Sequence, residues 1–140
     1  MRCEEIMTKN PSTLQANATI VDAAKLMAKE DIGFIPIVDQ SGNVQGVITD
    51  RDIVVKGIAK NGDITRIQLT QLMETNVACC APQDDTDKVR RTMDERQIQR
   101  MLVCEGKRPV GVISLQNLTR DSDLGGTVRA VKEGTSARLQ

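Results

Sequence analysis

The sequence predicts an α+β fold made of two similar half-domains, because the 140-residue chain contains an internal repeat. Residues 6–39 align without a gap on residues 72–105 at an offset of 66, and after one deletion residues 46–49 align with residues 111–114. A unit of this size is too small to enclose a good core alone, so the two repeats are expected to pack against each other. The cleft between them is the expected binding site.

The elements of the first repeat begin with an extended segment, residues 11–14, that leads into an amphipathic helix. Thr19 is expected to cap the N-terminus of this helix. The helix is predicted from four apolar residues at helical spacing, Ile20, Ala23, Ala24 and Met27.

Two short apolar runs follow, at residues 34–38 and 44–49, and the turn residues Ser41-Gly42-Asn43 between them predict a β-hairpin. Because Pro36 lacks an N–H group, it is expected at an edge or at the start of its strand. A second helix is predicted from Asp50 to about Lys60. The first repeat therefore has the order strand, helix, strand, strand, helix.

The second repeat follows the same order. It has an extended segment at residues 77–80, a hairpin of residues 101–104 and 110–114, and a closing helix from Leu115 to about Arg120. Its first helix, residues 86–95, is more polar than the corresponding helix of the first repeat. We therefore expect this helix to be less well buried, although Val89 and Met93 keep an apolar face.

The apolar residues of the helix that closes the first repeat cover more than one of its faces; they are Ile53, Val54, Val55 and Ile58. Two interpretations stay open: the helix packs against the other repeat, or it forms a dimer interface. Residues 61–68 read as a polar linker. Residues 127–132 are expected to form a short helix or strand, and residues 133–140 a frayed tail.

The composition excludes several classes of function. Lys and Arg together number 19, as do Asp and Glu, so no net charge attracts nucleic acid or an anionic membrane. One Phe and no Tyr or Trp leave an aliphatic core and no aromatic platform for stacking bases. The chain has no His, and its four cysteines lack C-x-x-C spacing, so we expect no metal site, no catalytic residues and no enzyme activity.

The N-terminal residues include two acids and no apolar run, which does not fit a signal peptide. No window approaches the roughly 18 apolar residues that a transmembrane helix needs. We therefore expect a cytoplasmic protein that does not bind membranes.

Several motifs recur in order: the openings Ile6-Met7 and Leu72-Met73, a helix ending in Met27, the strand 35–39 with the sequence Ile-Pro-Ile-Val-Asp, and residues 46–53 with the sequence Gly-Val-Ile-Thr-Asp-Arg-Asp-Ile. Together they resemble a tandem pair of cystathionine-beta-synthase (CBS) domains, also called a Bateman module. The resemblance covers about residues 3 to 120 and leaves no catalytic domain. It implies two β-α-β-β-α repeats with pseudo-two-fold symmetry, at residues 3–60 and 69–121, joined by a linker at 61–68 and followed by a tail at 122–140.

The resemblance also implies binding residues. Family members bind adenosine-containing ligands in clefts between the repeats, through a Gly-h-Thr/Ser-x-x-Asp pattern that Thr49 and Asp52 match fully. A carboxylate can accept bonds from both ribose hydroxyls, and the free N–H groups of the helix start favour phosphate. Ser114 and Asn117 form a weakened second match. The same residues also fit an ordinary helix N-cap, so that interpretation stays open.

Two arginines are further candidates by resemblance. Arg100 matches a family position from which a basic residue reaches a ligand phosphate, and Phe34 stands at that position in the first repeat. Arg51 is expected to contact phosphate or a dimer partner, while a solvated surface role stays open for both arginines. The family's base pocket corresponds to four residues that could equally be core: Thr13, Ile35, Pro36 and Ile37.

Two adjacent cysteines stand in the second repeat. Cys79 occupies the position equivalent to Thr13, near the expected second pocket, and Cys80 follows it. Such thiols are either inert small hydrophobic groups or redox-responsive groups.

The sequence thus predicts a regulatory module that binds AMP, ADP or ATP, with S-adenosylmethionine or NAD as further candidates and no obligatory cofactor. By resemblance it is expected to form a homodimer and to act on a regulated protein that the sequence does not identify. The alternative is a protein-interaction or scaffold module without a ligand.

Overall fold

The α+β fold expected from the sequence is confirmed in a computed structural model, which describes residues 1–122. The predicted helix or strand at residues 127–132 and the tail at 133–140 lie outside the described residues. Each repeat contributes a helix, a β-hairpin and a closing helical segment.

The first repeat begins with a short helix and strand that the sequence pattern did not predict, α1 (Cys3–Ile6) and β1 (Thr8–Lys9). Helix α2 (Ile20–Glu30) starts behind Thr19 as expected, since the Thr19 hydroxyl accepts a hydrogen bond of 3.2 Å from the N–H of Asp22. Strands β2 (Phe34–Val38) and β3 (Val44–Thr49) form the predicted hairpin.

The extended segment at residues 11–14 forms no strand and is bridged to β2 only at Leu14, opposite Ile37. The N–H of Leu14 donates to the carbonyl of Pro36 at 3.2 Å. The N–H and C=O groups of one strand residue point to the same edge, so the group that Pro36 lacks falls on this sparsely paired edge, as predicted.

Residues 50–60 are helical throughout, as predicted, but only the first turn is an α-helix, α3 (Asp50–Asp52). A π-helical turn (Ile53–Gly57) and a 3₁₀ turn (Ile58–Lys60) continue it. Within this segment Ile53 is buried in the core of the first repeat, whereas Val54 (55% exposed), Val55 and Ile58 (49% exposed) face outward. Packing inside the chain therefore covers only part of the apolar surface of this segment.

The second repeat opens with a 3₁₀ turn (Leu69–Gln71). Its further elements are β4 (Cys79–Cys80), α4 (Thr86–Arg96), β5 (Arg100–Glu105), β6 (Arg108–Ser114) and α5 (Leu115–Ser122). The predicted order of elements is confirmed here, including the short strand at residues 79–80, which pairs in parallel with β5.

Helix α4 is as deeply buried as α2, so the expectation of a less buried second helix is wrong. Thr86, Val89 and Met93 are buried in α4, and each corresponds by the offset of 66 to a buried residue of α2. Ala24 of α2, which was expected on the apolar face, is exposed. Most of the polar residues of α4 occupy positions that are exposed in both helices, so they do not reduce burial; these residues are Lys88, Arg91, Asp94, Glu95 and Arg96.

The opening segment of each repeat packs onto the other repeat. Strand β1 pairs with β6, giving a four-stranded sheet of order β1-β6-β5-β4, and Glu74 forms an antiparallel bridge to Val47 of the two-stranded β2-β3 sheet. The side chain of Cys3 is buried with the second repeat, and that of Leu69 with the first. Each repeat therefore contributes its opening segment to the core and sheet of the other repeat.

Three apolar clusters hold the fold together. The first core is the cluster of Ile20, Ala23, Met27, Ile35, Ile37, Ile48, Ile53, Ile67 and Leu69. The second core is the cluster of Cys3, Cys80, Val89, Met93, Met101, Val103, Ile113 and Leu118. The inter-repeat cluster consists of Val47, Leu102 and Cys104, with Phe34, Val44, Val77 and Val112 packed against them. Since strand side chains alternate between faces, each hairpin supplies one core with one face and the inter-repeat cluster with the other.

No helix among residues 1–122 is both long enough and apolar enough to span a bilayer.

Candidate functional site

Two clefts lie where the repeats meet. The first cleft has a volume of about 470 Å³ and is lined by residues of both repeats: Phe34, Val47, Thr49, Asp50, Arg51, Asp52, Glu74, Asn76, Val77, Ala78, Arg96, Ile98, Gln99 and Arg100. It therefore brings together Thr49, Asp52, Arg51 and Arg100, four of the residues expected to bind a ligand.

Thr49 and Asp52 form a reciprocal pair at the start of the helical segment that follows β3. The Thr49 hydroxyl accepts from the N–H of Asp52, and Oδ2 of Asp52 accepts from the N–H of Thr49, both at 3.1 Å. Oδ1 of Asp52 lies 3.3 Å from Nζ of Lys56. The side chain of Asp52 is 16% exposed and reaches the cleft wall. The capping interpretation is thus correct, and it leaves this carboxylate on the cleft surface.

Arg100, at the start of β5, lies between both clefts and lines each of them. Its Nη1 lies 3.4 Å from the carbonyl oxygen of Gly33 and 4.0 Å from Oδ1 of Asp50. A Cβ on Gly33 would lie 2.5 Å from Oδ2 of Asp50 and 3.3 Å from Nη2 of Arg100. The absence of a side chain at residue 33 therefore makes room for this inter-repeat contact.

The second cleft is larger, about 620 Å³, and surrounds the weakened match. It is lined by Thr8, Lys9, Asn10, Pro11, Ser12, Glu30, Asp31, Ile32, Gly33, Phe34, Arg100, Val112, Ser114, Gln116 and Asn117. Oδ1 of Asn117 accepts from both the N–H (2.9 Å) and the hydroxyl (3.0 Å) of Ser114, and the hydroxyl of Ser114 accepts from the N–H of Asn117 at 3.1 Å. The Ser114–Asn117 pair therefore keeps the geometry of the Thr49–Asp52 pair and lacks the negative charge of the Asp52 carboxylate.

The four residues expected to form a base pocket lie elsewhere. Ile35 and Ile37 are fully buried in the first core, Pro36 is buried beside them on β2, and Thr13 is exposed. None of the four is among the described residues that line the two clefts.

The structure adds cleft residues that the sequence analysis missed. Arg96 donates from Nη2 to the carbonyl of Asn76 at 3.2 Å, across the wall of the first cleft. Asn10 and Asn76 occupy equivalent positions in the repeat, and each lines the cleft of the other repeat's Thr/Ser–Asp/Asn pair. The matching asparagines were a readable signal, since both follow the repeated Met by three residues.

Among residues 1–122, no cluster of three or more His, Cys, Asp or Glu side chains is arranged to hold a metal ion.

Comparison with known proteins identifies the family. The sequence profile of the CBS domain matches residues 3–57 and 69–122, which together make up most of the chain. The chain belongs to the CBS domain family. The resemblance to a tandem CBS pair, or Bateman module, is confirmed.

Two curated relatives show how such CBS pairs are placed in proteins. The chain is 30% identical over 115 residues to the CBS domain-containing protein YhcV of Bacillus subtilis, covering 82% of this chain and 81% of that protein. It is 38% identical over 117 residues to a homoserine O-acetyltransferase of Methanococcus vannielii, covering 83% of this chain. The CBS pair spans only 24% of that enzyme, about a quarter of its length.

A similar solved structure is the CBS domain pair of protein MJ0100, in complex with 5′-methylthioadenosine and S-adenosyl-L-methionine. It is 29% identical with a TM-score of 0.80, and the match covers 87% of this chain and 95% of that one.

The four cysteines of this CBS pair form two close thiol pairs. Sγ of Cys79 lies 3.6 Å from Sγ of Cys104, and Sγ of Cys80 lies 3.8 Å from Sγ of Cys3. Cys79 is exposed and the other three are buried. Cys79 was expected near the second pocket, but its neighbour Ala78 lines the first cleft, because the segment before β4 crosses to the other repeat.

Proposed function

We propose that this CBS pair is a regulatory module that binds an adenosine-containing ligand, of the AMP, ADP or ATP class, in the first cleft. The observation that carries the proposal is that the carboxylate of Asp52 and the guanidinium of Arg100 line one cleft formed by both repeats. A ligand there contacts both repeats, so its binding energy favours one packing of the repeats over others.

Asp52 supplies the group suited to a ribose. A carboxylate offers about four lone-pair sites, and those of Asp52 that do not accept from Thr49 or contact Lys56 remain for the two ribose hydroxyls. Hydrogen bonds to an ionised acceptor are about twice as strong as neutral ones. Asn117 in the second cleft offers a neutral acceptor, so we propose the first cleft as the tighter site.

The arginines of the first cleft supply groups suited to phosphate. Arg51, Arg96 and Arg100 line it together with three acids, Asp50, Asp52 and Glu74. The contact of Arg100 with Asp50 is long, at 4.0 Å, and both side chains are partly exposed, so a phosphate can replace Asp50 at little cost.

The ligands of MJ0100 support the adenosine part of this proposal. 5′-Methylthioadenosine carries no phosphate, so what it shares with a nucleotide is the nucleoside. The three arginines are the feature that favours a phosphate-bearing ligand over S-adenosylmethionine here, and NAD is a further candidate. We propose no obligatory cofactor, no enzyme activity and no membrane or nucleic-acid binding for this module, and a cytoplasmic location.

The proposal is tested by thermal unfolding and titration calorimetry with AMP, ADP, ATP, NAD and S-adenosylmethionine. A ligand at 100 times its Kd raises the free energy of unfolding by about 2.7 kcal/mol. Asp52→Asn keeps an oxygen for the N–H of Thr49 and removes the charge. We expect it to weaken binding about tenfold, the loss of roughly 1.4 kcal/mol.

The matched control is Asn117→Asp, which makes the reciprocal change in the second cleft. This substitution should leave the affinity of the first cleft unchanged and should strengthen any weaker binding in the second cleft. Binding that is unaltered by Asp52→Asn and weakened by Asn117→Asp would contradict the assignment to the first cleft. Absence of binding for all five ligands would contradict the proposal as a whole.

A specific observation also favours an interaction role. Val54, Val55 and Ile58 are exposed on one helical segment, and Leu115 at the start of α5 is exposed as well. Single exposed apolar residues are normal, but a group on one segment is typical of an interface. We propose that these residues form the homodimer interface and that a regulated protein recognises the resulting assembly.

A further inference from the structure

We propose that Cys79 and Cys104 are a peroxide-reactive dithiol, in which Cys79 is oxidised first and Cys104 then closes a disulfide. The site lies beside the first cleft and does not depend on what that cleft binds.

The geometry places the two thiols on neighbouring parallel strands. Cys79 pairs with Leu102 in the register of β4 and β5, and the N–H of Leu102 donates to the carbonyl of Ala78 at 3.2 Å. The two sulfurs are 3.6 Å apart. The backbone pairing therefore holds both cysteines in place, and bond formation requires the two sulfurs to approach from 3.6 Å to the roughly 2.05 Å of a disulfide.

The two thiols differ in access. Cys79 is exposed, whereas Cys104 is 7% exposed and packs in the inter-repeat cluster beside Val47 and Leu102. An oxidant from solvent therefore reaches Cys79 first. Cys104 is protected from direct oxidation and lies within reach of the product.

The hydrogen bond between them activates the exposed thiol. The thiol of Cys104 donates to the sulfur of Cys79, which lowers the pKa of Cys79 to about 7 and raises that of Cys104. A thiolate is the nucleophilic form of cysteine, and at neutral pH a large fraction of Cys79 is in this form. This activation needs no basic residue, because the thiol of Cys104 supplies the hydrogen bond.

The proposed reaction is balanced with hydrogen peroxide as oxidant. The thiolate of Cys79 attacks one peroxide oxygen, the O–O bond breaks, and the leaving hydroxide takes up a proton to become water, which leaves Cys79 as sulfenic acid. The sulfur of Cys104 then attacks Sγ of Cys79, the S–O bond breaks, and the departing hydroxide takes the proton of Cys104. Two thiols and one peroxide yield one disulfide and two waters.

The second thiol pair provides an internal comparison. The sulfurs of Cys3 and Cys80 are 3.8 Å apart, but both residues are buried in the second core. Burial raises the pKa of both thiols, and for Cys80 the nearby Cys3 adds to the effect. The sulfur–sulfur distance is therefore similar in the two pairs, but among the four cysteines only Cys79 is both exposed and lowered in pKa.

The test treats the purified full chain with hydrogen peroxide, alkylates the remaining thiols and maps tryptic peptides by mass spectrometry. Residues 67–88 hold Cys79 and Cys80, residues 101–107 hold Cys104, and residues 3–9 hold Cys3. We expect residues 67–88 to become linked to residues 101–107 within one molecule, with the loss of two hydrogen atoms. The disulfide should also raise the melting temperature, because it closes the segment between residues 79 and 104 in the unfolded chain.

Variants assign the sulfurs. The double variant Cys3→Ala, Cys80→Ala should form the same link at the same rate. Cys104→Ala should form no link and should accumulate sulfenic and sulfinic acid at Cys79. Where Cys104→Ala does not fold, Cys79→Ser at the exposed position serves, and Cys104 should then stay reduced.

Three results would overturn the proposal. They are a link of residues 67–88 to residues 3–9, over-oxidation of Cys79 in the unaltered chain without a link, and oxidation of Cys104 at an undiminished rate in Cys79→Ser.

Discussion

Gly46 and Gly111 determine how closely the opening segment of each repeat approaches the hairpin of the other. A Cβ on Gly46 would lie 2.8 Å from the backbone oxygen of Glu74 and 3.1 Å from Sδ of Met73. A Cβ on Gly111 would collide with Sδ of Met7 and lie 3.1 Å from the oxygen of Thr8. In each repeat, therefore, the glycine of the hairpin contacts the methionine in the opening segment of the other repeat, Gly46 with Met73 and Gly111 with Met7.

Gly46→Ala should destabilise the chain by about 2 kcal/mol, because the added methyl group meets a backbone oxygen that can move only if the Val47–Glu74 bridge opens. Gly62→Ala is the matched control. A Cβ there has open space, so its effect should be neutral or slightly stabilising. Urea unfolding of both variants measures the difference, and equal stabilities would contradict the steric account.

The candidate site shows which residue contacts a sequence can predict. Thr49 and Asp52 were predicted from the resemblance to the family's Gly-h-Thr/Ser-x-x-Asp pattern, which is local because the pair lies within one helical turn, and the same pattern located Ser114 and Asn117. The contact of Arg100 with Asp50 and Gly33 joins residues from different repeats. Such a contact leaves no periodic signal, so it required the structure.

At the scale of elements, residues 50–60 illustrate a partly predictable segment. The apolar pattern predicted a helix but not its π-helical turn, which widens the helix and is not encoded by a distinct residue pattern. The same pattern left open which apolar residues face the core. In the structure Ile53 and Gly57 face inward and three neighbours stay exposed, so packing inside the chain accounts for one face of the segment, and the dimer interface stays a proposal for the other.

Val54→Glu should convert the proposed dimer to a monomer, because burying a carboxylate against an apolar partner without a counter-charge costs several kcal/mol. Val54 is 55% exposed within one chain, so the folded monomer should keep its stability. Sedimentation velocity measures the change in mass, and circular dichroism checks the fold. Gln83→Glu, at an exposed position outside this face, should remain dimeric. A monomeric unaltered chain would contradict the proposed interface.

At the scale of the whole molecule, the two repeats defined by the sequence are not the same as the two packed cores, because each core includes the opening segment of the other repeat. Residue equivalence at the offset of 66 assigns Cys3 and Leu69 to matching positions, and both are fully buried. This equivalence does not show in which core each residue is buried. Cys3 and Leu69 would be buried whether each opening segment packed on its own repeat or on the other one. The sequence therefore predicted two repeats and an inter-repeat cleft, while the exchange of opening segments, which brings Asn76 and Ala78 to the first cleft, required the structure.

Because the opening segment of each repeat packs onto the other repeat, a destabilising substitution in one opening segment should destabilise the hairpin of the other repeat. Ile6 packs on the second core, and Leu72, its equivalent, packs on the first core. Ile6→Ala should lower the opening free energy of β5 and β6 by about 2 kcal/mol and affect β2 and β3 less, because the lost contacts lie on the second core. Leu72→Ala should show the reverse pattern. Hydrogen–deuterium exchange measured by mass spectrometry separates the two hairpins. Faster amide exchange in the hairpin of the substituted residue's own repeat would contradict the swap of opening segments between the repeats. The two variants control for each other, since they remove similar apolar groups from equivalent positions and should differ only in which half of the molecule responds.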